Sequence, residues 1–215
     1  MKTKYCLALV IAASVAVCSC KDDGTPKVTN PINISSPTPT ETITRVELSE
    51  EQKPFVVAGN AFAVKCLKSL FDDESMVFSP LSLQYALALA ANGASGETAA
   101  EIVRTLGFGE DKGALNAYCN LLLNQLPALD KDVVLKLANA VIMNDRYKAQ
   151  EGFRQIAETV DFSPVEYASL SNPEELVARI NEWASRNTNG LIDPFIDESD
   201  ISEYFAAAIL NALYF

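Results

Sequence analysis

The sequence predicts an α+β fold in which helices cover a sheet assembled from distant parts of the chain. Three observations carry this expectation. Capping signals recur at regular intervals from Ser49 onward, stretches of helical periodicity alternate with β-branched runs, and those runs lie far apart in the chain.

The elements follow in order. "SEEQ" is a capping box, Ser49 with Gln52 three residues later, and it opens a helix with Phe55, Phe62, Cys66 and Leu70 at helical spacing. Met76 to Phe78 reads as a short strand. Ser79-Pro80 starts a helix, apolar nearly all round from Leu81 to Ala91, that stops at Asn92-Gly93 and belongs inside something large. Thr98 with Glu101 forms a second box, opening a short helix that ends at Gly107. A helix over Ala114 to Leu126 ends near Pro127. Asp132 to Asp145 reads as a long, largely apolar strand. "AQEGFRQIAETV" is a helix and "SPVEY" a short strand. Ser171 with Glu174 is a third box; the helix behind it lines up Leu176, Ile180, Trp183 and Ala184 and stops near "NTNG". Ala206 to Phe215 is apolar on both faces except for Asn211, the pattern of a central strand paired on both edges. No later residues are present to supply the second neighbour, so the pattern predicts an unprotected edge and a sequence cut short.

The N-terminus is different in kind. Lys2 and Lys4 precede an apolar run of eleven, Leu7 to Val17. A membrane span takes about 20 residues, so the run fits the h-region of a secretory signal. "VCSC" (Val17 to Cys20) resembles the bacterial lipobox. That resemblance implies a signal over 1–19 and a mature chain anchored through lipid on Cys20; Cys18 fits less well behind the bulky Val17. "KDD" (Lys21 to Asp23) is similar to the acidic tag that sends some Bacteroidetes lipoproteins to the cell exterior. The expectation is an exported protein held at the outer membrane. Residues 20–48 are rich in Thr, Pro, Ser and Asn and cannot bury enough apolar surface to offset ordering entropy, so they read as a tether to a folded part over 49–215. Cys66 and Cys119 lie on apolar helical faces and read as two free buried thiols in preference to a disulfide or metal pair.

Composition excludes much chemistry. The net charge is −11; without Lys2 and Lys4 the count is 15 basic against 28 acidic residues, or −13. Such a surface repels phosphate backbones, and no nucleic acid is expected as a partner. There is no histidine, which removes Ser-His and Cys-His nucleophilic pairs and HExxH zinc sites. No catalytic residue, metal or small-molecule cofactor is expected. "GASGETAAE" lacks the P-loop lysine and follows a helix; the paired acids Glu50-Glu51, Asp72-Asp73-Glu74, Glu174-Glu175 and Asp197-Glu198 read as solvated faces or first-turn dipole partners.

"NAFAVKCLKSL", "VFSPLSLQYALALAANGASGETAAEI", "LKLANAVIM", "INEWASRNTNGLI" and "AAAILNALYF" resemble, in order and spacing, successive segments of the serpins, from about Ser49 to Phe215. The resemblance implies helices A to F, the start of sheet B and strands 1–3 of a central mixed sheet A, roughly the N-terminal half of the family's fold. It implies a complete protein that traps a serine or cysteine protease when the cleaved reactive loop inserts beside strand 3. Here that receiving strand is Ala206, Ala207, Ala208, Ile209, Leu210, Asn211, Ala212, Leu213, Tyr214 and Phe215. It also implies that Ser79, Ser82 and Asn211 sit where the sheet opens. A buried Asn must be paired, so a bond from Asn211 to the serines is sensible, while the serines could equally serve as helix caps. The reactive loop is not among these residues, so the 215-residue chain is expected not to inhibit. The alternative reading is a non-inhibitory serpin-fold surface module or a degenerate remnant.

Overall fold

The computed structural model describes residues 9–15, 45–71, 76, 78–130, 132–159 and 165–215. The expectations for Lys2, Lys4, Cys18, Cys20, Lys21 to Asp23, the tether to Thr44 and Asp72 to Glu74 lie outside the described residues. The described elements run β1 (Leu9–Val15), α1 (Lys53–Leu70), α2 (Pro80–Gly93), α3 (Gly96–Thr105), α4 (Lys112–Gln125), β2 (Lys136–Asn144), α5 (Glu151–Thr159), β3 (Val165–Ala168), α6 (Pro173–Asn187) and β4 (Ala207–Tyr214).

Helix starts obey local chemistry, but not always at the residue expected. Ser79 caps α2, its side chain accepting from the Ser82 amide at 3.1 Å, with Pro80 in the first turn. Elsewhere the boxes shift. The Gln52 side chain does accept from the Ser49 amide at 3.0 Å, yet α1 begins only at Lys53, after a turn. Thr98 sits inside α3, which starts at Gly96 behind Ser95 without a side-chain cap. α6 is capped by Asn172, not Ser171: its side-chain oxygen accepts from the Glu175 amide at 3.3 Å, while Ser171 pairs its hydroxyl with Ser169. An Asx side chain ahead of Pro173 reaches the orphan amides as well as a serine would, so the box spacing alone cannot place the cap.

Two strand expectations also shrink. Met76 and Phe78 are not in a strand, and Val77 lies outside the described residues. A strand exists only through its ladder partners, and no described segment pairs there. The long run from Asp132 yields a strand only from Lys136; Val133 and Val134 are exposed.

The sheet is mixed, in the order β1-β4-β2-β3. β2 is antiparallel to β4, with Asn139 opposite Asn211, and parallel to β3. β4 is buried through its middle six residues, as its two-sided apolarity requires. The edge of β4 expected to lie open is occupied: Leu9–Val15 lies along it in parallel, Leu9 opposite Ala207 through Val15 opposite Leu213. An edge strand offers unpaired amides and carbonyls to any apolar, β-competent segment within reach, and the N-terminal run is one.

Side chains alternate across this sheet and build two cores. On one face Leu137, Val141, Met143 and Ile209 pack with Tyr85, Leu89 and Ala88 of α2 and, beyond them, Leu115 and Cys119 of α4. On the other, Ala140, Ile142, Ala208 and Leu210 pack with Leu176 and Ile180 of α6 and with Phe205. The near-all-apolar α2 thus lies between sheet and outer helices, as its sequence demanded. Leu70 is the exception on α1: it is 51% exposed, whereas Phe62 is buried. At the end of α3, Gly107 adopts φ +87°, and a Cβ there would sit 2.4 Å from that of Ala58 on α1. Glycine alone permits that turn and that approach.

Candidate functional site

The first core is closed near the middle of β4 by polar groups. Asn211 shares its face with Ile209 and Asn139 shares its face with Val141, so both side chains point toward α2. Asn211 and Asn139 are 2% and 8% exposed, and the Asn211 amide donates to the Asn139 carbonyl oxygen at 2.7 Å. Asn211 is therefore paired, but across the strands and not to the serines. Ser79 is spent on the α2 cap. The Ser82 hydroxyl is buried without a partner, as are Nδ2 of Asn139 and Oδ1 of Asn211. Three unmet buried polar atoms at one helix–sheet junction make this the least satisfied part of the described interior.

Asn139 is the member that sequence reasoning missed. Its signal was present: it is the one polar residue between Leu137 and Met143, as Asn211 is in its own strand. The strand opposite, and hence the partner, becomes visible only with the register.

The second face of β4 is covered by α6 and the segment after it. Asn181 binds that segment at three points: its carbonyl oxygen accepts from the amides of Phe195 and Ile196 at 2.8 and 2.9 Å, and its amide donates to the Ile196 carbonyl at 2.9 Å. Arg179 ties α6 to β3, donating to Glu166 at 2.6 Å and to the Tyr167 carbonyl at 3.0 Å. A cleft of about 170 Å³ remains beside this pair, lined by Ile142, Glu166, Arg179, Glu182, Trp183 and Arg186.

Burial holds the ionisable groups packed into this core in their neutral forms. The Cys119 thiol is fully buried and burial pushes it up to about 12, so it is held neutral. Burial also raises the Tyr85 hydroxyl and the Cys66 thiol. Both cysteines are free. Among the described residues no three His, Cys, Asp or Glu side chains converge as a metal site. What the arrangement offers instead is mechanical: a buried strand, clamped by helices on both faces, whose outer edge accepts a further strand.

The profile described as "Serpin (serine protease inhibitor)" matches residues 57–215. The chain belongs to the serpin family. Serine protease inhibitor 42Dd of Drosophila melanogaster is 34% identical over 144 residues, 66% of this chain and 39% of that protein. An uncharacterized serpin-like protein of Thermococcus kodakarensis is 33% identical over 202 residues, covering 88% of this chain and 45% of its own length. Among solved structures, the thermophilic serpin tengpin in its latent state superposes with a TM-score of 0.69 at 27% identity, over 79% of this chain and 45% of that one. This serpin chain thus spans less than half the length of the relatives it matches, and its α+β architecture is the corresponding part of the serpin fold.

Proposed function

We propose that this chain is the N-terminal part of an exported, lipid-anchored serpin whose complete form traps a serine or cysteine protease at the cell surface. One observation carries the reading: β4 is an eight-residue strand buried on both faces whose outer edge accepts a further strand, within a chain of the serpin family. In this reading the cleaved loop takes that edge while the protease is still attached, and stored strain is released through strand insertion. Ser79, Ser82, Asn211 and Asn139 form the junction that loosens as the sheet opens. Residues 1–215 carry the receiving strand and not the bait, so they do not inhibit by themselves. The protein is not an enzyme.

Export and anchoring rest on Lys2 and Lys4, the apolar run to Val17 and Cys20 within "VCSC". Residues 1–19 leave with the signal, Cys20 becomes the lipidated first residue, and 20–48 tether the domain. Removing 1–19 takes β1 away and frees the edge of β4.

The test is twofold. The 215-residue chain is incubated with a panel of serine and cysteine proteases and assayed for complexes that survive boiling in detergent; any such complex overturns the division between receiving strand and bait. In parallel, the chain is expressed in a bacterium fed an alkynyl fatty acid. Label on the wild type and none on Cys20→Ser is expected, whereas equal label or none on either defeats the anchor.

A further inference from the structure

The chain holds two Asn-Gly pairs, Asn92-Gly93 and Asn189-Gly190, and the structure treats them differently. Asn92 is buried in the last turn of α2, its amide donating to the Ala88 carbonyl at 2.9 Å and to Asn116 at 2.7 Å. Asn189 and Gly190 are exposed just beyond α6. Asn189 adopts φ +54° and Gly190 φ +78°, and the Gly190 amide donates to the Ser185 carbonyl at 2.8 Å. That six-to-one bond, with a left-handed Asn between, is a Schellman cap. The Asn189 amide donates to the Tyr214 hydroxyl at 3.4 Å, linking the cap to the end of β4.

We infer that Asn189 is a deamidation site whose rate is set by opening of the α6 cap. In this reaction base removes the proton from the Gly190 amide, and the nitrogen attacks Cγ of Asn189. The bond from Cγ to Nδ2 breaks, and the side-chain nitrogen leaves as ammonia. Water then adds to either carbonyl of the resulting succinimide and opens it to aspartate or isoaspartate. One ammonia is lost and one water taken up; nothing is oxidised or reduced. Glycine is the residue that least obstructs ring closure. In the closed cap the attacking nitrogen is not available, because its proton is held by Ser185. The reaction therefore runs through a state in which the end of α6 has unwound, the kind of local opening that needs far less than global unfolding.

The product places a carboxylate at a helix C-terminus, the end that disfavours negative charge. It also reverses the contact with Tyr214, whose hydroxyl has to turn and donate to the new carboxylate, and the isoaspartate form lengthens the backbone of the cap by one methylene. The modification thus loosens the junction between α6 and the last residues of β4, and does so slowly and irreversibly.

The cap is held by Thr188, whose buried hydroxyl donates to the Ala184 carbonyl at 2.8 Å and accepts from the Ile192 amide at 3.2 Å. The experiment incubates the 215-residue chain in mildly alkaline buffer with and without guanidinium chloride. Aspartate and isoaspartate are then quantified by mass spectrometry in the peptides that contain each Asn-Gly pair. Conversion at Asn189 is expected in the folded chain, slower than in the denatured one, with Asn92 unconverted until the chain is denatured. Thr188→Ala is expected to raise the folded-state rate at Asn189 about fivefold and leave Asn92 unchanged. Exchange of the Gly190 amide proton in the unaltered chain measures the same opening without a mutation, and its opening constant should account for the slowing. Equal folded-state rates at Asn189 and Asn92 would mean global unfolding and overturn the inference. So would equal rates at Asn189 with and without denaturant, or no conversion at Asn189 while the denatured chain converts.

Discussion

Asn139 and Asn211 face each other across β2 and β4, share one hydrogen bond, and leave one donor and one acceptor unmet. Each half of such a pair is costly to remove alone, since the other half stays buried with less to bind. Asn211→Ala is expected to lower stability by about 1–3 kcal/mol, whereas Asn139→Leu combined with Asn211→Leu recovers most of that loss. Urea denaturation of Asn139→Leu, Asn211→Leu and the double variant measures the coupling. If the single effects simply add, the pair is not an energetic unit. If the double apolar variant is as stable as the unaltered chain, the pair serves something other than stability, as the proposed opening of the sheet would require.

Among the elements, α6 and β4 carry predictions about boundaries. The α6 cap is Asn172, so Asn172→Ala is expected to cost about 1 kcal/mol and Ser171→Ala close to nothing. Thermal melts of both decide between the cap observed and the box the spacing suggested. The edge of β4 carries the other prediction. A chain beginning at Cys20 lacks β1 and bares the row of amides and carbonyls that β1 now pairs with. It is expected to self-associate more readily than the full chain at equal concentration, measured by light scattering. Identical scattering from both would show that β1 contributes nothing to closing the edge. The length and apolarity of β4 were legible in sequence because burial on both faces removes the alternation that an exposed face would impose. The occupant of its edge was not, since the same apolar run that competes for an edge also reads as a signal.

At the scale of the whole molecule, burial of titratable groups sets the alkaline limit of stability. The Cys119 thiol, ordinarily at 9.0, is pushed up to about 12 by burial, and the Tyr85 hydroxyl rises for the same reason. The folded state thus holds these protons more tightly than the unfolded one. The stabilising contribution of Cys119 is complete below about pH 9 and is lost as pH climbs toward about 12, and that of Tyr85 is lost at still higher pH. Stability measured across that window is expected to fall steeply, and Cys119→Ala is expected to flatten the slope. In the same way, alkylating reagents should reach Cys119 only on unfolding, while half-buried Cys66 reacts first.

The α+β class, the order of helices and long strands, the family, the two free thiols and the lack of histidine are legible from the residues alone. Each of these depends on periodicity, composition or motif order, which are properties of one segment or of the total. That Asn211 pairs with Asn139, that Ser79 is spent on a cap, that Asn172 displaces Ser171 and that the edge of β4 is occupied emerge only from the folded chain. Those outcomes turn on strand register and on competition between neighbouring donors and acceptors. Two segments 72 residues apart become partners only once the sheet aligns them.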